Sequence, residues 1–117
     1  MQWDAVMIRA AARELDRRFR GSRVQAILLD PPAGAVALFL REATLVARPG
    51  PEDPTVTLLG PQEPPPGCQR LPAKIVGIEF VSDERVMVIH MKRIRGHDEG
   101  FSLLLEFTGA QANAILV

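Results

Sequence analysis

The chain has 117 residues, the length of one domain, and its 47% hydrophobic and 24% charged content excludes a disordered tail and a second independent core. Fourteen basic residues balance fourteen acidic ones, so no overall field draws the chain to a membrane or a nucleic acid. The lone Cys68 cannot form an internal disulfide, Met1-Gln2-Trp3-Asp4 lacks the basic opening of a signal peptide, and no apolar run nears the ~20 residues of a membrane span, so a soluble cytoplasmic domain is expected.

The neutral sum conceals a gradient. Residues 1–23 carry six Arg against three acids, residues 24–69 two Arg against five acids, and residues 70–117 six bases against six acids. Twelve of the fourteen bases are Arg, whose planar fork suits phosphate and carboxylate, although a GC-rich genome produces the same bias.

The spacing predicts a helix over 3–20. Trp3, Met7, Ile8, Ala10, Ala11, Leu15 and Phe19 share one arc, while Arg9, Arg13, Asp16, Arg17 and Arg20 gather on the other. Asp4 near the start and Arg17, Arg18 and Arg20 near the end suit the helix dipole, and Gly21 is a natural stop. Short β-type runs follow. Runs 24–29 and 35–40 flank Asp30-Pro31-Pro32-Ala33-Gly34, a hairpin connection, and 44–47 and 55–59 are separated by a loop with three prolines. Residues 60–67 hold four prolines and read as an extended surface connection. Runs 74–80, 85–93, 101–107 and 112–117 complete the set. The expected fold is α+β: an N-terminal helix packed on an antiparallel sandwich or barrel of seven to eight strands, in a single domain over 1–117. The apolar ending Ala114-Ile115-Leu116-Val117 suggests the N-terminal part of a longer protein, or a shortened relative.

Few residues suggest catalysis. Ser22, Ser82 and Ser102 lie in no nucleophile elbow, and no glycine-rich phosphate loop precedes a helix. His90 and His97 with one remote cysteine do not make a zinc set; His90 reads as a packed or edge histidine within a strand, and His97 as a solvated turn residue. No catalytic residue, metal or cofactor is expected. Two basic features remain. The ridge Arg9/Arg13/Arg17/Arg20 either follows a phosphate backbone or is a solvated face crossed by pairs with Glu14 and Asp16. The cluster Lys92-Arg93-Ile94-Arg95-Gly96-His97 at a hairpin tip either reaches into RNA or keeps a sheet edge soluble.

Three phrases, in order, carry a resemblance to a known family. Gly21-Ser22-Arg23-Val24-Gln25-Ala26-Ile27 follows the Asp4-bearing helix; Lys74-Ile75-Val76-Gly77-Ile78-Glu79-Phe80 precedes an acid–Arg step at Glu84-Arg85-Val86. The third runs Leu103-Leu104-Leu105-Glu106-Phe107-Thr108-Gly109-Ala110-Gln111-Ala112-Asn113-Ala114-Ile115-Leu116. Together they resemble the N-terminal domain of the NFACT family, which includes bacterial RqcH, described as fibronectin-binding protein A-like, and eukaryotic NEMF. The chain departs from the family pattern where Glu84-Arg85 replaces an Asp-Arg pair, and where Ala110 and Ala112 replace Arg and Ser. The segment around Leu71-Pro72-Ala73 replaces a basic helix.

The resemblance implies a non-enzymatic RNA-binding module of a ribosome-associated quality-control factor. Its implied partners are tRNA and the stalled large ribosomal subunit, with no membrane partner, and further domains or a homo-oligomer are left open. The implied contact site is Glu84 and Arg85, with Arg85 on phosphate and Glu84 orienting it, helped by Lys92, Arg93 and Arg95. That family domain also looks like the N-terminal domain of formamidopyrimidine-type DNA glycosylases. Gln2-Trp3 supplies neither the imine-forming amine nor the carboxylate which that chemistry needs. The alternative is a protein-interaction or oligomerisation module without nucleic-acid binding, motivated by the neutral charge and the apolar ending.

Overall fold

Every third or fourth position of the first helix is apolar, and this stripe organises the fold. The computed structural model describes residues 5–30, 35–48, 55–81, 86–94, 100–106 and 113–116. Within them α1 (Ala5–Phe19) buries Ile8, Ala12, Leu15 and Phe19. Ala12 takes the inward place and Ala10 is exposed, a one-step rotation of the stripe from the arc read in the sequence.

The helix stops where Gly21 adopts a φ of 90°, in the left-handed region that a Cβ disfavours. Its end is tied into the sheet. Gly21 N–H donates to Ile75 O at 2.7 Å, and Ile75 N–H donates to Ser22 O at 2.9 Å.

Eight antiparallel strands follow: β1 (Arg23–Asp30), β2 (Ala35–Leu40), β3 (Thr44–Arg48), β4 (Thr55–Leu59), β5 (Gln69–Val81), β6 (Val86–Arg93), β7 (Gly100–Glu106) and β8 (Asn113–Leu116). They form one sheet in the order β4-β3-β2-β1-β5-β6-β7-β8. Two meanders, β1–β4 and β5–β8, are therefore joined side by side through β1 and β5. The proline-rich 60–67 segment leads the chain from β4, at the outer edge of the first meander, to β5 on the far side of β1, about 19 Å across four strand spacings. Prolines keep that return extended and unable to donate to a ladder.

The α+β class, the helix on the sheet and the strand number agree with the sequence reading, but the sheet is not closed. β4 and β8 are its two ends, so the eight strands make neither a barrel nor two separate layers. Leu38, Leu45, Ile75, Met87, Ile89, Met91, Leu103 and Leu105 join the helix stripe in a single cluster that draws on both meanders. The helix supplies the inner layer that closure would otherwise provide.

Two register shifts interrupt the ladders. In β1 one lies between Val24 and Ala26; in β5 one lies between Ile75 and Gly77. Ile75 pairs with Met91 and Gly77 with His90, leaving Val76 as the extra residue of a bulge.

Candidate nucleic-acid interface

The site begins with strand register. Arg23 on β1 is paired with Lys74 on β5, and Lys74 is paired with Lys92 on β6. On the other side of β1, Arg41 N–H donates to Arg23 O at 3.2 Å, which extends the series to the β2 end. Four cations thus stand in one row across neighbouring strands. Like charges directly opposite each other are in general unfavourable in a sheet.

The row opens into a groove of about 700 Å³ where the helix end meets β5 and β6. Arg20, Arg23, Lys74, Lys92 and Arg93 line it together with Gly21, Ile75, Val76 and Ile94, and no carboxylate is among its lining within the described residues. Arg20 is bound at 2.7 Å to Asp16. A second, smaller depression of about 400 Å³ shares Arg20, Gly21 and Arg23 and adds Arg18, Arg41 and Glu42. The basic band therefore continues past the helix end toward β2.

Asp16 fixes the helix against this site. Its Oδ1 accepts from Ile78 N–H at 2.8 Å and its Oδ2 from Arg20 at 2.7 Å. The Ile78 N–H, and then the Arg20 guanidinium, hold its carboxyl below the usual carboxylate range. The sequence placed Asp16 on the polar arc but gave no sign of this partner 62 positions away. Elsewhere on that ridge Arg17 is paired with Glu14, and Arg18 lies 5.5 Å from the Phe19 ring centre; Arg9 and Arg13 are exposed. Of the four ridge arginines named from the sequence, the groove includes Arg20 alone.

The expected contact set divides. Lys92 and Arg93 line the groove. Glu84, Arg85 and Arg95 lie outside the described residues, as does His97. The strand ends that flank Glu84 and Arg85 are the paired Val81 and Val86, seven residues along β5 from the Lys74–Lys92 pair, on the order of 20 Å. Arg23 and Lys74 belong to the phrases that carried the resemblance, yet as isolated cations in separate strands they gave no signal of a shared site.

A second polar cluster crosses β5, β6 and β7. Ser102 Oγ lies 2.9 Å from His90 Nδ1, and His90 Nε2 lies 2.9 Å from Glu79 Oε1. The order hydroxyl–imidazole–carboxylate is that of a catalytic triad; here Ser102 sits mid-strand opposite His90, and the three side chains link β5, β6 and β7. The cluster is a brace between strands, consistent with the packed or edge histidine read from the sequence. Among the described residues no group of three or more His, Cys, Asp or Glu is placed to hold a metal ion, and no helix is long and apolar enough to cross a membrane.

No family model and no curated protein matches the chain. Among solved structures it superposes on the N-terminal domain of the fibronectin-binding protein PavA from Streptococcus pneumoniae with a TM-score of 0.78. The two share that fold. Identity is 22%, and the match covers 99% of this chain and 51% of the PavA chain, so this chain spans about half of that structure's length. The PavA designation agrees with the bacterial, fibronectin-binding protein A-like branch that the three sequence phrases resemble.

Proposed function

We propose that this chain is a non-enzymatic RNA-binding module of a ribosome-associated quality-control factor, acting in the cytoplasm and contacting tRNA on a stalled large ribosomal subunit. The observation that carries the reading is the Arg41–Arg23–Lys74–Lys92 row and the groove that Arg23, Lys74, Lys92 and Arg93 line. A cost in sheet stability is offset when a polyanion enters and neutralises the row. The likeness to the PavA domain and the three phrases give the family context. Phosphates meet the lysines as point charges and the arginines as forks. Arg85, oriented by Glu84, and Arg95 are proposed to extend the contact along the strand hairpins. No metal or cofactor enters this role.

Co-sedimentation with large ribosomal subunits, with and without peptidyl-tRNA, over a salt series tests the proposal. The expected result is salt-sensitive binding that favours the tRNA-carrying subunit and is lost in the Lys74→Glu/Lys92→Glu double variant. Arg85→Ala, if folded, weakens the same binding; binding unchanged in that variant removes Arg85 from the site.

A second reading is a protein-interaction module, and the designation of PavA as a fibronectin-binding protein favours it. An apolar protein interface is only weakly sensitive to salt, whereas RNA binding falls steeply. Retention on immobilised fibronectin that persists at high salt, with no retention on ribosomal subunits, selects this second reading.

A further inference from the structure

A surface that only follows phosphates needs cations, yet this groove also has an apolar floor. Val76 is 51% exposed and Ile94 40% exposed, and both line it. Neither position is incidental. Val76 is the extra residue of the β5 bulge, and a bulge re-aims the side chain it carries. Ile94 is tethered beside β5 by its N–H, which donates to Pro72 O at 3.4 Å. Two aliphatic side chains are thus presented to solvent inside a ring of Arg23, Lys74 and Lys92.

We infer that this groove binds an unpaired polynucleotide segment, with its phosphates on the Arg23–Lys74–Lys92 row and a base face laid on Val76 and Ile94. The inference rests on the RNA-binding reading proposed above and specifies the form of RNA. A duplex keeps its base faces stacked and offers a protein its backbone and groove edges. On a duplex the aliphatic floor gains nothing. An unpaired strand has base faces to cover, and unpaired bases are what proteins splay onto apolar or planar side chains. The dimensions agree. The row from Arg23 to Lys92 spans two strand spacings, about 10 Å, and the groove volume of about 700 Å³ falls within the roughly 300–1,000 Å³ of ligand-sized clefts.

The test is fluorescence anisotropy at low salt with the whole chain and two probes. One is a short labelled oligouridylate, whose bases stack weakly on each other; the other is a blunt-ended RNA duplex with the same number of phosphates. Three variants accompany the native chain: Val76→Ser/Ile94→Ser, whose sites are exposed so that folding is retained; Lys74→Glu; and the combination. The oligouridylate binds more tightly than the duplex, and loss of the floor weakens the oligouridylate by about tenfold while leaving the duplex unchanged. Lys74→Glu weakens both probes. Equal affinity for the two probes, or a floor variant that binds oligouridylate as the native chain does, overturns the inference while leaving the RNA-binding reading intact. If neither RNA binds more tightly than it does to Lys74→Glu, both the inference and that reading fail. Vesicles containing phosphatidylserine serve as a third probe, and binding to them in place of both RNAs overturns both conclusions in favour of an anionic membrane surface.

Discussion

At the scale of single residues, Asp16 joins α1 to β5. Its carboxylate serves the Ile78 N–H and Arg20 together, and its side chain is only 22% exposed. Asp16→Ala leaves the Ile78 amide without its partner and costs about 1–3 kcal/mol in chemical denaturation. Asp16→Asn, which keeps an acceptor oxygen, costs less. The carboxyl is held low by contacts that favour its ionised form, so its stabilisation is complete above the unfolded carboxylate value and is lost as pH falls through the lowered folded value. The acid limb of a stability-against-pH curve is accordingly steeper for the native chain than for Asp16→Asn. Thr44 makes the opposite case. It is 1% exposed, and its Oγ1 has no partner among the described residues, so Thr44→Val keeps the shape and removes a desolvated hydroxyl. Thermal unfolding is expected to show a stability gain of about 1 kcal/mol; a loss of that size would mean that the hydroxyl is satisfied in solution.

At the scale of elements, the helix end and the bulged strand position the groove. Gly21→Ala places a Cβ at φ 90° and is expected to cost about 1–2 kcal/mol, with the loss visible in the same denaturation experiment. The cation row supports a prediction of opposite sign. Lys74→Thr removes the middle of three like charges, so the sheet gains about 0.2–1 kcal/mol while RNA binding weakens. A variant both less stable and still fully binding would contradict the account of the row. The stop at Gly21, the strand runs and the proline-rich return are legible in the sequence because each is written in local chemistry: positive φ, alternation, missing donors. The β5 bulge is not. Val76 sits in an apolar run, Lys74–Phe80, where a projecting valine and a buried one read alike, and only the pairing of Ile75 with Met91 and Gly77 with His90 distinguishes them.

At the scale of the whole molecule, the decisive contact is the pairing of β1 with β5, which brings Arg23 beside Lys74, 51 positions away in the chain. Long-range pairing leaves no mark on composition or periodicity, so the sequence yields the meanders but not their junction. The same gap explains why closure into a barrel or sandwich looked available, and why Lys92 and Arg93 were recognisable as a cluster while Arg23 and Lys74 were not. Overall neutrality is compatible with such a site, because among the described residues the groove lining is basic and apolar. The central claim is that this groove binds RNA through its cation row, and the most direct measurement is the salt dependence of oligouridylate affinity for the native chain and for Lys74→Ala. With about four phosphates neutralised, the logarithm of affinity falls against the logarithm of salt with a slope of roughly −3, and removing Lys74 makes the slope shallower by about 0.7. A flat salt response, or the same slope in both proteins, contradicts the claim.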